Sequence, residues 1–325
     1  MHPRRRLLAL AACVASLAPA ANAQTWPNRP ISVIVPASAG GPTDAITRVI
    51  ADPMGARLGQ TMLIDNVAGA GGTIGLGKLA RATADGYTLG VGQWSHYVLN
   101  GATYTLQYDL VKDFAPISLL TDGPLLLVVR KTLPVDDLKG LIAWLKANGD
   151  KASAGTGGVG APGHITGLFF QQRTGTQFAF VPYRGTGPAL RDLVAGQIDL
   201  MFDQTSNVVP QIQAGTIRAL AVLSPARLAT TPDVPTVDEA SLSGLHISVW
   251  HGLWAPRAVP ADVIARVHAA AVGALADPKT KERLAALGQE IAPASQQNPQ
   301  ALAAHQKAEI EKWWPIVKAA GIKGD

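Results

Sequence analysis

The sequence predicts an α/β protein built as two similar halves. Two observations carry that prediction. Short apolar, β-branched runs alternate with stretches of helical period along nearly the whole chain. In both halves the predicted strand ends run through small-residue loops directly into helix starts, the arrangement that places ligands outside the carboxyl ends of open sheets.

The first half opens on residues 31–35, apolar and β-branched as a strand covered on both faces should be. The loop 36–41 has almost no side-chain bulk. Pro42 suits a first helical turn, where its missing N–H costs nothing. Ile46, Val49, Ile50 and Leu58 continue at helical spacing. Such a junction points free backbone N–H groups and the positive end of a helix dipole into the loop, an anion site in outline. Residues 61–65 read as the next strand. The glycine-rich loop 66–73 and a helix over about 74–82 come after it. A third strand, 87–91, ends in Gly92-Gln93-Trp94-Ser95-His96-Tyr97. Residues 98–115 read as irregular, and 116–121 and 124–130 as strand-like runs parted by Asp122 and Gly123.

The alternation begins again with a helix over 136–147 and a strand near 152–155. A second glycine-rich loop, 156–164, opens a helix over 164–173. A strand at 177–181 meets the loop 182–188, with a helix over 189–195. The strand 198–202 ends at Asp203. A helix to residue 214 and strands over 217–223 and 246–255 are next, then helices over 261–276, 278–287 and 299–319. The halves are therefore 24–123 and 124–246. The last strand and the C-terminal helices are expected to return to the first half, making lobe one 24–123 plus 247–325 and lobe two 124–246. Two crossings between lobes make a hinge.

Residues 1–23 read as a cleaved secretory signal. Arg4, Arg5 and Arg6 precede the apolar run 7–17, and Ala21-Asn22-Ala23 supplies a small-residue cleavage site. Cys13, the only cysteine, lies inside that apolar run, which argues against a lipidation site and for simple cleavage. The exported chain then has no disulfide, thiolate metal site or cysteine nucleophile, and depends on a large core. Losing the three arginines takes the formal charge from +5 to +2. No basic run remains, which argues against nucleic acid as a partner. No apolar stretch after residue 23 is long enough to span a bilayer.

Several motifs bear on chemistry. Residues 155–160 fit G-x-G-x-x-G, but the next strand ends in Val181-Pro182-Tyr183-Arg184, without the acid a dinucleotide site requires. A nest of N–H groups suited to a carboxylate fits better. Gly69-Ala70-Gly71-Gly72 lacks the lysine of a phosphate loop. Ser38, Ser95 and His96 stand in no nucleophile elbow, and the histidines show no metal-ligand spacing. No metal or cofactor is expected. His96 and His164 at strand ends suit either a structural hydrogen bond or a ligand contact. Trp94, Tyr97 and Tyr183 suit a cleft border or interface packing. Arg184 suits a solvated cleft mouth, and Asp44 a first-turn carboxylate that steadies its own helix. Trp313 and Trp314 are expected to anchor the last helix. Reversible binding fits more readily than catalysis, since no oriented nucleophile and base are found.

Segments in a fixed order carry a resemblance: 26–31 (Trp-Pro-Asn-Arg-Pro-Ile), 35–44 through Pro36, Gly40, Gly41 and Asp44, 69–75, 84–89, 160–164, 181–189, 198–203, 218–222 and 232–237. On these the chain resembles the Bug family of periplasmic solute-binding proteins, receptors of tripartite tricarboxylate transporters. The resemblance implies a two-lobed Venus flytrap of the type II periplasmic-binding-protein topology. It implies a small carboxylate ligand, a membrane permease as partner, and a monomer in the periplasm. Carried over by position, the ligand-binding set is Ala37, Ser38, Ala39, Gly40, Asp44, Gly71, Gly72, Gln93, Trp94, Ser95, His96, Thr156, Gly157, His164, Tyr183, Thr186 and Asp203. Asn66, Trp94 and Leu168 depart from the usual pattern. Gln93 and Trp94 are expected to shape the cleft for a flat or aromatic acid. An exported hydrolase of small esters and a ligand sensor for a membrane kinase remain the alternatives.

Overall fold

Two β-sheets organise the molecule. The computed structural model describes residues 26–324, so the expected signal segment lies outside the described residues. The chain first lays down β1 (Ile31–Val35), β2 (Met62–Asn66), β3 (Thr88–Gln93) and β4 (Phe114–Asp122). It crosses to form β5 (Leu125–Arg130), β6 (Ser153–Thr156), β7 (Ala179–Pro182), β8 (Leu200–Gln204) and β9 (Ile217–Val222). It then returns for β10 (His251–Pro256) and β11 (Glu290–Ile291).

The sheets share one plan. Their orders are β11-β4-β10-β3-β1-β2 and β7-β6-β8-β5-β9. Each holds a parallel trio, with β1 between β2 and β3, and β6 between β7 and β8. Beside each trio lies an antiparallel strand that has just arrived from the other sheet, β10 against β3 and β5 against β8. The crossings run side by side: Leu125 N–H donates to the Ile247 carbonyl at 3.0 Å, and Val249 N–H to that of Gly123 at 2.8 Å. Paired extended segments of this kind bend together, which is how a hinge absorbs a domain rotation.

The structure differs from the sequence reading at several element ends. β3 runs on to Gln93. The segment after it is ordered, where the sequence reads as irregular: a π-helical turn, Ser95–Leu99, leads into the short helix Asn100–Thr103. Helix Pro162–Thr174 starts two residues early because Pro162 takes its first turn, and helix Thr186–Val194 three residues early, directly after Gly185. β10 begins at His251, since the backbone of 247–249 is used in the crossing. The two-residue β11 has too short a pattern to read; it exists through its pairing with β4.

The last helix, Pro299–Ala319, braces the turn after β3. Trp314 Nε1 donates to the Val98 carbonyl at 2.8 Å. Gln306 Nε2 donates to the carbonyls of Tyr97 and Leu110. The rings of Trp313 and Trp94 meet edge-on at 4.7 Å. Tyr97 stacks on Trp254, with ring centres 3.5 Å apart. The turn after β3 is thereby backed by packed aromatics, which suits the close-packed interior of a folded domain.

Candidate functional site: a cleft between the sheets

Five helices begin at one cleft of about 140 Å³. They are Pro42–Leu58, Thr73–Ala80, Pro162–Thr174, Thr186–Val194 and Thr205–Gln213. The residues that precede them, Gly41, Gly72, Ala161, Gly185 and Gln204, all line it. None of the five has a side-chain cap. Three helices that start elsewhere are capped, by the side chains of Asp137, Asp277 and Asn298. First-turn N–H groups that no side chain caps, and that face a cleft, await an acceptor there. Five positive dipole ends favour an anion.

One wall comes from the six-stranded sheet. Ala37 and Ser38 follow β1, Gly71 and Gly72 follow β2, and Gln93, Ser95 and His96 lie at and after the end of β3. Gly72 has φ +91°, and a Cβ there would lie 2.7 Å from both the Pro36 carbonyl oxygen and His96 Cδ2. Only glycine lets the loop pass between them. The facing wall comes from the five-stranded sheet through Gly157, Tyr183, Thr186 and Asp203. The walls touch. Gln204 Nε2 donates to Gln93 Oε1 at 2.5 Å, and Gln93 Nε2 to Ser95 Oγ at 3.1 Å. Nearer the crossings, Gln289 Nε2 donates to Thr205 Oγ1 at 2.7 Å.

The titratable groups divide by environment. His96 Nδ1 accepts the Gln93 N–H at 3.2 Å, so the neutral ring carries its proton on Nε2 as a donor. Burial pushes its pKa down to about 3. His251, also buried, sits within 3.4 Å of Thr43 Oγ1 and is lowered to about 3, by burial first and then by His96. The cleft therefore holds no cationic histidine at neutral pH. We expect the His96 ring resonances to stay unchanged between pH 5 and 8 in a two-dimensional ¹H–¹⁵N spectrum. A titration midpoint inside that range would refute the buried, neutral assignment.

Asp203 is the buried acid of the cleft, 2% exposed. It accepts Gln204 N–H at 2.8 Å and a short bond from Asn207 Nδ2. Burial pushes its pKa up to about 6, against the hydrogen bonds from Asn207, Gln204 and Thr186. Tyr183 donates its hydroxyl to Asp192 at 2.6 Å; burial and then that carboxylate raise its pKa to about 12. Arg184 is exposed at the mouth.

Six of the expected ligand residues do not line the cleft. Ala39 and Gly40 are at its edge, facing Gly187. Asp44 lies beneath the loop, where Oδ2 accepts Gly40 N–H at 2.8 Å and Arg48 Nε at 2.9 Å. Burial raises its pKa, but the bonds from Arg48, Gly40 and Asn66 prevail and hold it below the usual range. Thr156 Oγ1 accepts Gly158 N–H, and His164 Nδ1 accepts Gly160 N–H, each at 3.3 Å. These residues shape the loops from behind. Trp94 corrects the expectation of an aromatic cleft wall. It is 1% exposed and turned beneath the last helix. Tyr97 is likewise in the core. Conversely, Thr43, Tyr104, Gly163 and Gln204 line the cleft and are absent from the set expected from sequence. Gln204 is legible as the neighbour of Asp203 at a strand end. Tyr104 lies in the stretch that reads as irregular and carries no signal.

The comparison that decides the family is the match of residues 46–322 to the tripartite tricarboxylate transporter family receptor model. The chain belongs to that family. Among solved structures, the periplasmic binding protein BugD is 38% identical, with a TM-score of 0.88 over 92% of this chain and all of that one. MatC from Rhodopseudomonas palustris with bound malate is 37% identical, with a TM-score of 0.86 over 90% of this chain and all of that one. Rpa4515 of R. palustris, with adipate, is 33% identical, with a TM-score of 0.87 over 91% of this chain and 99% of that one. The fold is accordingly the two-lobed periplasmic-binding-protein arrangement with two hinge crossings. The family is one of solute-binding receptors.

Proposed function

We propose that the chain is a periplasmic receptor that holds one compact carboxylate between two lobes, 24–123 plus 247–325 and 124–246. On this reading it delivers the ligand to the membrane permease of a tripartite tricarboxylate transporter. The carrying observation is the convergence of five helix N-termini without side-chain caps on one cleft. Backbone N–H groups at Ala37, Ser38, Gly71, Gly157 and Thr186 then take the carboxylate, with the His96 Nε2 proton as a further donor; Gly72 N–H is spent on the Gly69 carbonyl and shapes the loop. Asp203 and the two glutamine side chains meet the rest of the ligand. A cavity of about 140 Å³ admits a chain of a few carbons. Malate in MatC and adipate in Rpa4515 support a short acid.

A thermal-shift screen of small carboxylates at neutral pH tests this. A ligand at a hundred times its Kd stabilises by about 2.7 kcal/mol, a rise of several degrees in Tm. If every carboxylate leaves Tm unchanged and a neutral solute raises it, the anion reading fails.

A further inference from the structure

Tyr104 is held on three sides at the end of the cleft. Its ring lies against the backbone of Gly71, where an added Cβ would stand 2.8 Å from Cε2 and 2.9 Å from the hydroxyl. Its hydroxyl donates to the Val159 carbonyl at 2.9 Å. Gly71 and Tyr104 belong to the lobe of β1 to β4, and Val159 belongs to the loop after β6. The bond therefore joins the two lobes. It falls on neither crossing, at 122–125 or 247–249, so separation of the lobes must break it.

The third side is Gly324. Gly324 N–H donates to the Thr103 carbonyl at 2.8 Å. A Cβ on Gly324 would stand 2.1 Å from Tyr104 Cε1, so the tail is pressed onto the ring. Next to it, a Cβ on Gly160 would lie 2.8 Å from Thr103 Cγ2, so the second lobe reaches the same turn. That turn is itself tied down, since Asn100 Nδ2 donates to the Gly71 carbonyl at 3.0 Å.

We propose that Tyr104 is the latch of the cleft. Its ring walls the ligand space, its hydroxyl fastens the lobes through Val159, and Gly324 holds the ring in place. This rests on the reading that the lobes part to admit a ligand. It goes further in assigning the retention of the closed form to one side chain and to the tail behind it. Tyr104 acts on closure by positioning, not through any chemical step.

The test needs no ligand identity. The only cysteine is Cys13, so a Cys13→Ser background with Arg81→Cys and Lys151→Cys places one spin label on an exposed site of each lobe. Double electron–electron resonance then reads the distance between lobes. One neutral hydrogen bond is worth about 1 kcal/mol, so Tyr104→Phe should raise the ratio of open to closed molecules about fivefold, with Tm lowered by no more than about two degrees. Removing residues 324–325 should shift the ratio in the same direction by a smaller factor. A distance distribution unchanged by Tyr104→Phe overturns the latch, and a lower Tm with the distribution unmoved reduces Tyr104 to packing and overturns it equally. Adding malate provides the separate arm. If malate moves neither the distribution nor the Tm of the unaltered lobes, the carboxylate reading loses support while the latch result stands.

Discussion

Replacing Gly185 by alanine is expected to weaken binding of the tightest carboxylate about a hundredfold. Gly185 has φ +120°, and an added Cβ would stand 2.3 Å from Ser38 Oγ, 2.9 Å from Ser38 Cβ and 3.2 Å from Ser38 N. Ser38 and Gly185 lie on opposite walls. The substitution thus has two costs of different kinds. Backbone strain at a positive φ, about 1–3 kcal/mol, burdens open and closed forms alike and lowers Tm. The collision burdens only the closed form, and about 2.7 kcal/mol there corresponds to the hundredfold loss. Isothermal titration calorimetry reads the second cost and thermal unfolding the first. Ser38→Gly added to Gly185→Ala should recover about tenfold of the affinity, because it removes the two nearest obstacles and leaves the Ser38 backbone nitrogen at 3.2 Å. Undiminished binding by Gly185→Ala would show that Ser38 and Gly185 do not meet in the bound form.

Asp203→Asn is expected to stabilise the protein at neutral pH. The folded pKa of about 6 lies above the ordinary aspartate value of 3.8, so the fold favours the protonated carboxyl. A raised carboxyl pKa makes its contribution to stability most favourable below about pH 4. That contribution falls as pH rises through 4 to 6 and is level above about pH 7. The displacement from 3.8 to about 6 corresponds to about 3 kcal/mol of cost at pH 7. The neutral amide avoids that cost but rearranges the bond with Asn207, so a gain of about 1–3 kcal/mol is expected at pH 7. It should shrink towards zero at pH 4. Urea unfolding at the two pH values measures both. A variant less stable than the parent at pH 7 would show that the bonds to the charged form outweigh its burial.

The cleft is legible in the sequence where it is made of backbone. Small-residue loops announce a helix start at Pro42 and two more within two or three residues of Pro162 and Thr186, and a helix start makes the same electrostatic offer in any context. That is why Ala37, Ser38, Gly71, Gly72, Gly157, Tyr183, Thr186 and Asp203, all expected at strand ends, do line the cleft. Side-chain direction is the weak point. Trp94 lies between two cleft residues, Gln93 and Ser95, yet faces the opposite way. There β3 gives way to a π turn, and neither strand nor α-helix periodicity predicts where a side chain points in such a turn. Asp44 reads from its position as a carboxylate serving its own helix, but its tie to Gly40 across the loop required the folded turn.

Local composition along the chain was enough to specify the alternation of elements, the two halves, the hinge segments near 123 and 247, and the convergence of small-residue loops with helix starts on one cleft. These arise from short-range sterics and hydrogen-bond demand, which act within a few residues. Tertiary structure alone decided which side chains cross the cleft: Gln204 to Gln93, Tyr104 to Val159, and Gly185 against Ser38. Each pairs residues far apart in the chain, and such pairs form only once two sheets and a hinge have set the distance between them.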